Sequence, residues 1–261
     1  MISKNRIKFI RSLSLKKNRD TLGLFVAEGP KIVSDLLSNI TPVYIAATND
    51  WLKQNINILG VLKQEFHNDF AFDEVSDDEL KRISFLETPQ NVLCVFRQPH
   101  DCKNIYDSVI DNICLALDGV QNPGNLGTII RSSVAFNIDT IVLSKDTVDL
   151  YNSKVLRATQ GMIFNINIIE SNLLELVPNL IKDGYKVYGT KVNGGKSLKN
   201  VERCEKFAII MGNEGKGVSK EIIALSNIKT IIPMSNIVDS LNVSVASGIV
   251  MYKINEKLIE K

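Results

Sequence analysis

The chain has 261 residues, 44% of them hydrophobic and 23% charged, a balance that can bury a sizeable core and excludes a disordered chain. No apolar run approaches the roughly 20 residues of a membrane helix, and charges stand where a signal peptide would carry its apolar centre; the expected location is cytoplasmic, without membrane contact. The net charge of +2 hides an uneven distribution: Lys4, Arg6, Lys8, Arg11, Lys16, Lys17 and Arg19 precede the first acidic residue, whereas six basic residues face twelve acidic ones from Asp20 to His100. In chain order, the spacing predicts a helix over Asn5 to Lys17, a strand over Leu22 to Ala27 and a helix from Gly29 to Leu37. A strand over Val43 to Ala46 and a helix over Asn49 to Asn57 follow. Ser76 and Glu79 form a capping-box pattern, so the acidic cluster Asp77-Asp78-Glu79 is accounted for as helix-start chemistry without a metal. Val92 to Phe96 completes a small α/β domain over residues 1–98, and the polar, aperiodic stretch 99–110 is expected to be a linker.

The second domain, 111–261, alternates more regularly. Ile113 to Leu117 is a short apolar run ending in a Pro-Gly-Asn turn, and Leu126, Ile129, Ile130 and Val134 then fall at helical spacing, with Asn125 as the expected N-cap. Strands are expected over 140–143, 165–168, 184–190, 207–211 and 229–232. Helices are expected near 153–159, over 173–182 and over 241–257, giving a mostly parallel α/β sheet. Four cysteines without a CxxC pair, and only His67 and His100 as histidines, argue against a zinc site or a disulfide framework.

Three stretches carry candidate chemistry. In Asn125-Leu126-Gly127-Thr128-Ile129-Ile130-Arg131, Arg131 lies off the apolar stripe and is free to meet an anion. Gly212-Asn213-Glu214-Gly215-Lys216-Gly217-Val218 follows a strand, but Val218 stands where a phosphate-binding P-loop needs lysine. The glycines could form no more than an awkward turn; Glu214 at a strand end is nonetheless well placed to bond a ligand. Ile232-Pro233-Met234 and Ser240-Leu241-Asn242-Val243-Ser244 form the third, where Ser240 can cap a helix whose buried stripe would be Leu241, Val245, Gly248, Ile249 and Tyr252. Alone it is a capped core helix, and with the other two it becomes the third wall of a pocket. The basic arm reads either as a phosphate-binding surface or as a solubilising helix face.

Together, in order and spacing, the three stretches resemble the motifs of the SpoU family of the SPOUT superfamily, the S-adenosylmethionine-dependent RNA ribose 2'-O-methyltransferases. The segment Phe25-Val26-Ala27-Glu28-Gly29 more loosely resembles that family's N-terminal RNA-binding domain. The resemblance implies a deep trefoil knot in the C-terminal domain, a pocket formed by the knotted loops and an obligate homodimer. In-line methyl transfer requires no metal, and the basic arm with a separate N-terminal domain favours a structured RNA substrate, ribosomal in preference to transfer RNA, with DNA not a partner. The resemblance assigns the cofactor to Thr190, Gly212, Ile232, Met234 and Leu241, and catalysis to Asn125, Arg131, Glu214, Ser240 and Asn242. Lys4, Arg6, Arg11, Lys16, Lys17 and Arg19 of the basic arm are the candidate RNA contacts. A protonated guanidinium has no acceptor, so Arg131 is expected to bind phosphate and stabilise developing alkoxide charge, oriented by Asn125 and Glu214. The alternative is a non-catalytic RNA-binding protein that has kept the fold.

Overall fold

The computed structural model describes residues 2–38, 40–57, 60, 70–98, 113–201 and 204–255, so the expected linker 99–110 lies outside the described residues. These residues form two compact units. The first holds the described residues up to Gln98 together with Asp149–Gly161. The segment 149–161, which the sequence places in the second domain, therefore packs with the first.

In the first unit, α1 (Lys4–Ser12) is capped by Ser3, whose side chain accepts from the Arg6 N–H at 3.2 Å. The single helix expected to Lys17 breaks here and resumes as α2 (Lys16–Leu22). The break has a local cause: the Ser12 and Ser14 hydroxyls donate back to the Phe9 and Arg11 carbonyls at 2.6 and 2.8 Å, competing with helix continuation. Gly23 then ends α2 in the left-handed region at φ +61°, so Leu22 belongs to the helix and β1 covers Leu24–Glu28. α3 (Pro30–Leu37), β2 (Pro42–Ala47), α4 (Asn49–Gln54), β3 (Ala71–Glu74), α5 (Asp77–Ile83) and β4 (Val92–Arg97) follow. The Ser76 capping box forms as the sequence predicts. The sheet runs β1-β4-β2-β3, with β4 antiparallel to both neighbours and β3 parallel to β2. Phe25, Tyr44, Ile45 and Phe96 are fully buried in its layers.

Arg19 departs from its expected role. Its guanidinium is buried, donates to the Leu13 and Ser14 carbonyls at 2.7 and 2.8 Å and pairs with Asp149. It closes the α1–α2 break and is not available to RNA. Arg6 lies 4.6 Å over the Tyr44 ring and Arg11 donates to the Ser84 carbonyl at 2.6 Å, while Lys4, Lys16 and Lys17 are exposed.

The second unit is built on β5 (Ile113–Asp118), α6 (Pro123–Ala135), β6 (Thr140–Leu143), β7 (Asn167–Glu170), α8 (Leu173–Lys182), β8 (Lys186–Lys191), β9 (Lys196–Ser197), β10 (Phe207–Gly212), α9 (Lys220–Leu225), β11 (Ile228–Ile231) and α10 (Val243–Asn255); the helix α7 (Ser153–Thr159) belongs to the first unit. Its sheet runs β7-β6-β5-β10-β8-β11-β9 with every neighbouring pair parallel. β10 is inserted between β5 and β8, and Gly212 pairs in register with Asp118. The loops after β5, β8, β10 and β11 therefore leave from one edge of the sheet, the edge at which open α/β sheets gather ligands.

The expected buried stripe of the last helix is the wrong face. Val243, Ser247, Val250, Met251 and Ile254 are buried, whereas Val245, Ile249 and Tyr252 are 52%, 39% and 53% exposed. α10 packs on α6, with the Ser133 hydroxyl donating to the Met251 sulfur at 3.3 Å. A helix apolar on most of its faces gives periodicity no basis for choosing between them.

Candidate active site

The Asn122 side chain, not that of Asn125, caps α6. It accepts from the Gly124 and Asn125 N–H groups at 2.8 and 3.3 Å, and Pro123 occupies the first helical turn. Proline lacks the N–H that would be orphaned there, so it moves the helix start upstream. Asn125 is thereby freed in the first turn. Its Nδ2 donates to Glu214 Oε1 at 2.9 Å, and its Oδ1 accepts from Asn242 Nδ2 at 3.0 Å. Asn242 in turn caps α10, its Oδ1 accepting from the Ser244 N–H and hydroxyl at 2.9 and 2.6 Å, so the expected cap Ser240 does not serve. One hydrogen-bonded line, Glu214 to Asn125 to Asn242, thus ties together loops that are far apart in the chain.

Glu214 is the hub. Besides Asn125, its carboxylate accepts the main-chain N–H groups of Asn122 at 3.0 Å and Gln121 at 3.2 Å. Partial desolvation raises its pKa, but the bonds from Asn125, Asn122 and Gln121 outweigh it and hold the group below its ordinary 4.5. A carboxylate so depressed and so occupied is an acceptor and a poor base. Its contribution to the site is present above about 4.5 and is lost as pH falls through its lowered value. Cofactor affinity measured by calorimetry should therefore be flat from neutral pH down to about 5 as far as Glu214 is concerned. Glu214→Gln should weaken it about tenfold, because the amide turns a donor toward the Gln121 N–H; an unchanged affinity would remove Glu214 from the site.

Two further residues, not among those expected from the sequence, hold the glycine loop. Asn213 donates to the Gly119 carbonyl at 2.8 Å and accepts from the Gly215 and Lys216 N–H groups at 2.9 and 3.1 Å. Asp118 accepts the Ser219 N–H at 2.8 Å. Their signal was present as polar residues closing two apolar strands. Between them Gly212 has no space for a side chain: a Cβ would lie 2.0 Å from Gly217 C and Val218 N. Gly212→Ala should cost about 1–3 kcal/mol through overpacking and remove cofactor binding. Gly215→Ala, whose Cβ would meet only Asn213 Oδ1 at 3.7 Å, should fold as wild type in the same denaturation series.

Glu214 of this network also lines a cavity of about 500 Å³. Thr190, Gly212, Ile232, Met234 and Leu241 all line it, as does Ser240. Its size falls in the range of roughly 300–1,000 Å³ typical of small-molecule sites. The lining mixes apolar side chains with main-chain groups at strand ends. Arg131 is neither in the lining nor in the network. It is exposed on α6, about one and two-thirds turns and about 9 Å of rise beyond Asn125. Asn125 and Glu214, expected to orient it, bond each other and Asn242 instead. Among the described residues no group of three or more His, Cys, Asp or Glu could hold a metal ion, and no helix is long and apolar enough to cross a membrane.

A parallel α/β sheet whose loops close one ligand cavity at its carboxyl edge, fastened by three polar side chains, defines a small-molecule-dependent enzyme of the open-sheet class. Residues 112–252 match the model of the SpoU rRNA Methylase family and residues 4–94 that of the MRM3-like substrate binding domain. The chain belongs to the SpoU rRNA methylase family. It is 31% identical over 247 residues, 95% of this chain and 94% of the other, to the 23S rRNA (guanosine(2553)-2'-O)-methyltransferase RlmP of Bacillus subtilis. An AdoMet-bound rRNA methyltransferase from Sinorhizobium meliloti superposes with a TM-score of 0.86 at 27% identity, covering 100% of this chain and 98% of that one. A protein of Porphyromonas gingivalis described as an RNA methyltransferase of the TrmH family superposes at 0.84 with 29% identity, covering 98% and 99%.

Proposed function

We propose that the chain transfers a methyl group from S-adenosylmethionine to the ribose 2'-hydroxyl of a nucleotide in structured RNA, with ribosomal RNA as the substrate and the cytoplasm as the place of action. The observation that carries this reading is the Glu214–Asn125–Asn242 line, whose Glu214 lines the same cavity as Gly212, a glycine that tolerates no Cβ. The cavity fits the cofactor. Ile232, Met234 and Leu241 offer apolar surface to a base, and the strand ends at Thr190 and Gly212 offer main-chain groups to its polar edges.

When bound, S-adenosylmethionine supplies an electrophilic methyl carbon on a sulfonium. The protein's work is alignment, since an in-line displacement gains most from holding oxygen, carbon and sulfur in register. Thr190, Gly212, Ile232, Met234 and Leu241 would hold the cofactor; Glu214 and Ser240 line the same cavity, and Asn125 and Asn242 would fix Glu214 in place. Arg131 would bind RNA phosphate and offset charge developing on the ribose oxygen. Lys4, Lys16 and Lys17, with Arg11 and Arg6, would draw RNA to the first unit. Titration with S-adenosylmethionine should give saturable heat, and ribose-methylation mapping in a strain lacking the protein should lose one methyl. Absence of saturable heat would favour a non-catalytic RNA-binding protein.

The same reading includes a homodimer and the family's trefoil knot. The dimer is supported by the exposed apolar face Val245, Ile249 and Tyr252 of α10, too regular a stripe to leave to solvent. Sedimentation should give about twice 29.1 kDa, and Ile249→Asp should yield a folded monomer; a monomeric wild type would overturn this. The knot rests on the resemblance and on a strand order in which β10 and β11 flank β8.

A further inference from the structure

The first unit contains a second cavity, of about 330 Å³, lined among others by Arg11, Ser14, Arg19, Phe85, Tyr151 and Ser153. We propose that it binds one unpaired nucleotide of the substrate RNA, with the base against Phe85 and the phosphate against Arg11; this rests on the RNA-methyltransferase reading and adds where the first unit reads a single strand.

Three observations carry it. First, Phe85 is a half-buried ring fixed in place by its own backbone: its N–H donates to Glu28 Oε1 at 2.8 Å, the Ser84 hydroxyl donates to Glu28 Oε2, and Arg11 donates to the Ser84 carbonyl at 2.6 Å. An aromatic ring held this way and facing an open cavity is a preorganised stacking platform, and stacking on such rings is the usual way proteins take an unstacked base. Second, the Arg11 guanidinium lies 6.0 Å from the Phe85 centroid. The Arg19 charge is paired with Asp149 and buried, whereas Arg11 is exposed; its charge is shared with the nearby Glu28 carboxylate, whose oxygens are already taken by Ser84 and Phe85, so the guanidinium keeps donors for a phosphate. Third, Ser14 of the lining is followed by the exposed Lys16 and Lys17, so positive charge continues from the cavity along the surface as a phosphate backbone would need. Tyr151, stacked on Phe25 at 4.9 Å, and Ser153, which makes no side-chain hydrogen bond among the described residues, close the other wall. A duplex cannot present a splayed base to so small an opening; a loop or bulge can.

The test uses the full chain and two probes, a fluorescent single-stranded oligouridylate and a blunt RNA duplex, read by anisotropy. Ser153→Asp places a carboxylate in the cavity at the first position of α7, where the helix itself favours it. It should weaken oligouridylate binding about tenfold and leave duplex binding and cofactor affinity unchanged. Phe85→Leu should weaken the same binding about fivefold or more by removing the stack. In wild type, an oligonucleotide carrying 4-thiouridine should photo-crosslink within the peptides holding Phe85 or Tyr151. The assignment is overturned if Ser153→Asp binds as wild type, if both probes weaken equally, or if crosslinks fall elsewhere. Failure of wild type to bind either probe would overturn it together with the RNA reading, whereas unchanged ribose methylation with intact variant binding would overturn the pocket alone.

Discussion

Asp149→Ala should destabilise the first unit by about 3–5 kcal/mol, the cost of removing one partner of a buried ion pair. Arg19 is 5% exposed and the Asp149 side chain 13%, so the pair sits out of water. The guanidinium keeps its bonds to the Leu13 and Ser14 carbonyls, but its Nε already has no partner, and loss of the carboxylate would leave a buried charge uncompensated. The readout is selective. Trp51 is the chain's one tryptophan, is buried, and stands in the first unit, so its fluorescence reports unfolding there. A urea transition followed through Trp51 should move to markedly lower denaturant with cofactor affinity retained where the Trp51 signal is native. Replacing both partners with Arg19→Met and Asp149→Leu should recover much of the loss, because apolar residues of similar volume carry no desolvation cost. An unmoved Trp51 transition in the single variant would show that the pair contributes nothing.

That pairing also marks the limit of what the sequence made legible. Apolar spacing located β5, α6, β10 and the parallel alternation, because a buried strand or helix face needs only local pattern to be recognised. The three motif loops were legible because Asn125, Glu214 and Asn242 are polar residues gathered at strand and helix ends; of the three only Asn242 also serves regular structure, as the cap of α10. Arg19 was misread because its partner lies 130 positions away, and a free cation and a paired one look alike in one dimension. The same long-range pairing draws 149–161 to the first unit. On α10, Val245, Ile249 and Tyr252 are as apolar as Val250 and Met251; only the packing of α6, with Ser133 against Met251, decides which stripe is covered. At α6 the cap moved from Asn125 to Asn122 because Pro123 favours the first turn, and this small shift is what releases Asn125 to bridge Glu214 and Asn242.

Arg131→Ala should lower methyl transfer about 10²–10³-fold, some 2.7–4 kcal/mol of transition-state stabilisation, while cofactor affinity stays at the wild-type value. The separation follows from position: Arg131 does not line the cavity proposed for the cofactor, so its loss leaves that surface whole. It is exposed on α6 and makes no hydrogen bond or ion pair among the described residues, so no structural partner is orphaned and the variant should melt as wild type. Gln121, Asn122 and Asn125 bond Glu214 and Asn242 bonds Asn125, so none of them orients Arg131, and bound RNA has to bring the guanidinium to the reacting ribose. A guanidinium stays protonated across the working range and cannot take the hydroxyl proton, so the pH profile of the residual activity should keep the wild-type shape. Arg131→Lys should recover little, because an ammonium cannot present the planar fork to a phosphate and an alkoxide oxygen at once. Single-turnover measurement distinguishes the two duties: loss of charge stabilisation lowers the rate at saturating RNA, whereas loss of phosphate binding raises only the RNA concentration needed for half-saturation. A lysine variant that methylates at near wild-type rate would end the assignment of Arg131 to the transition state.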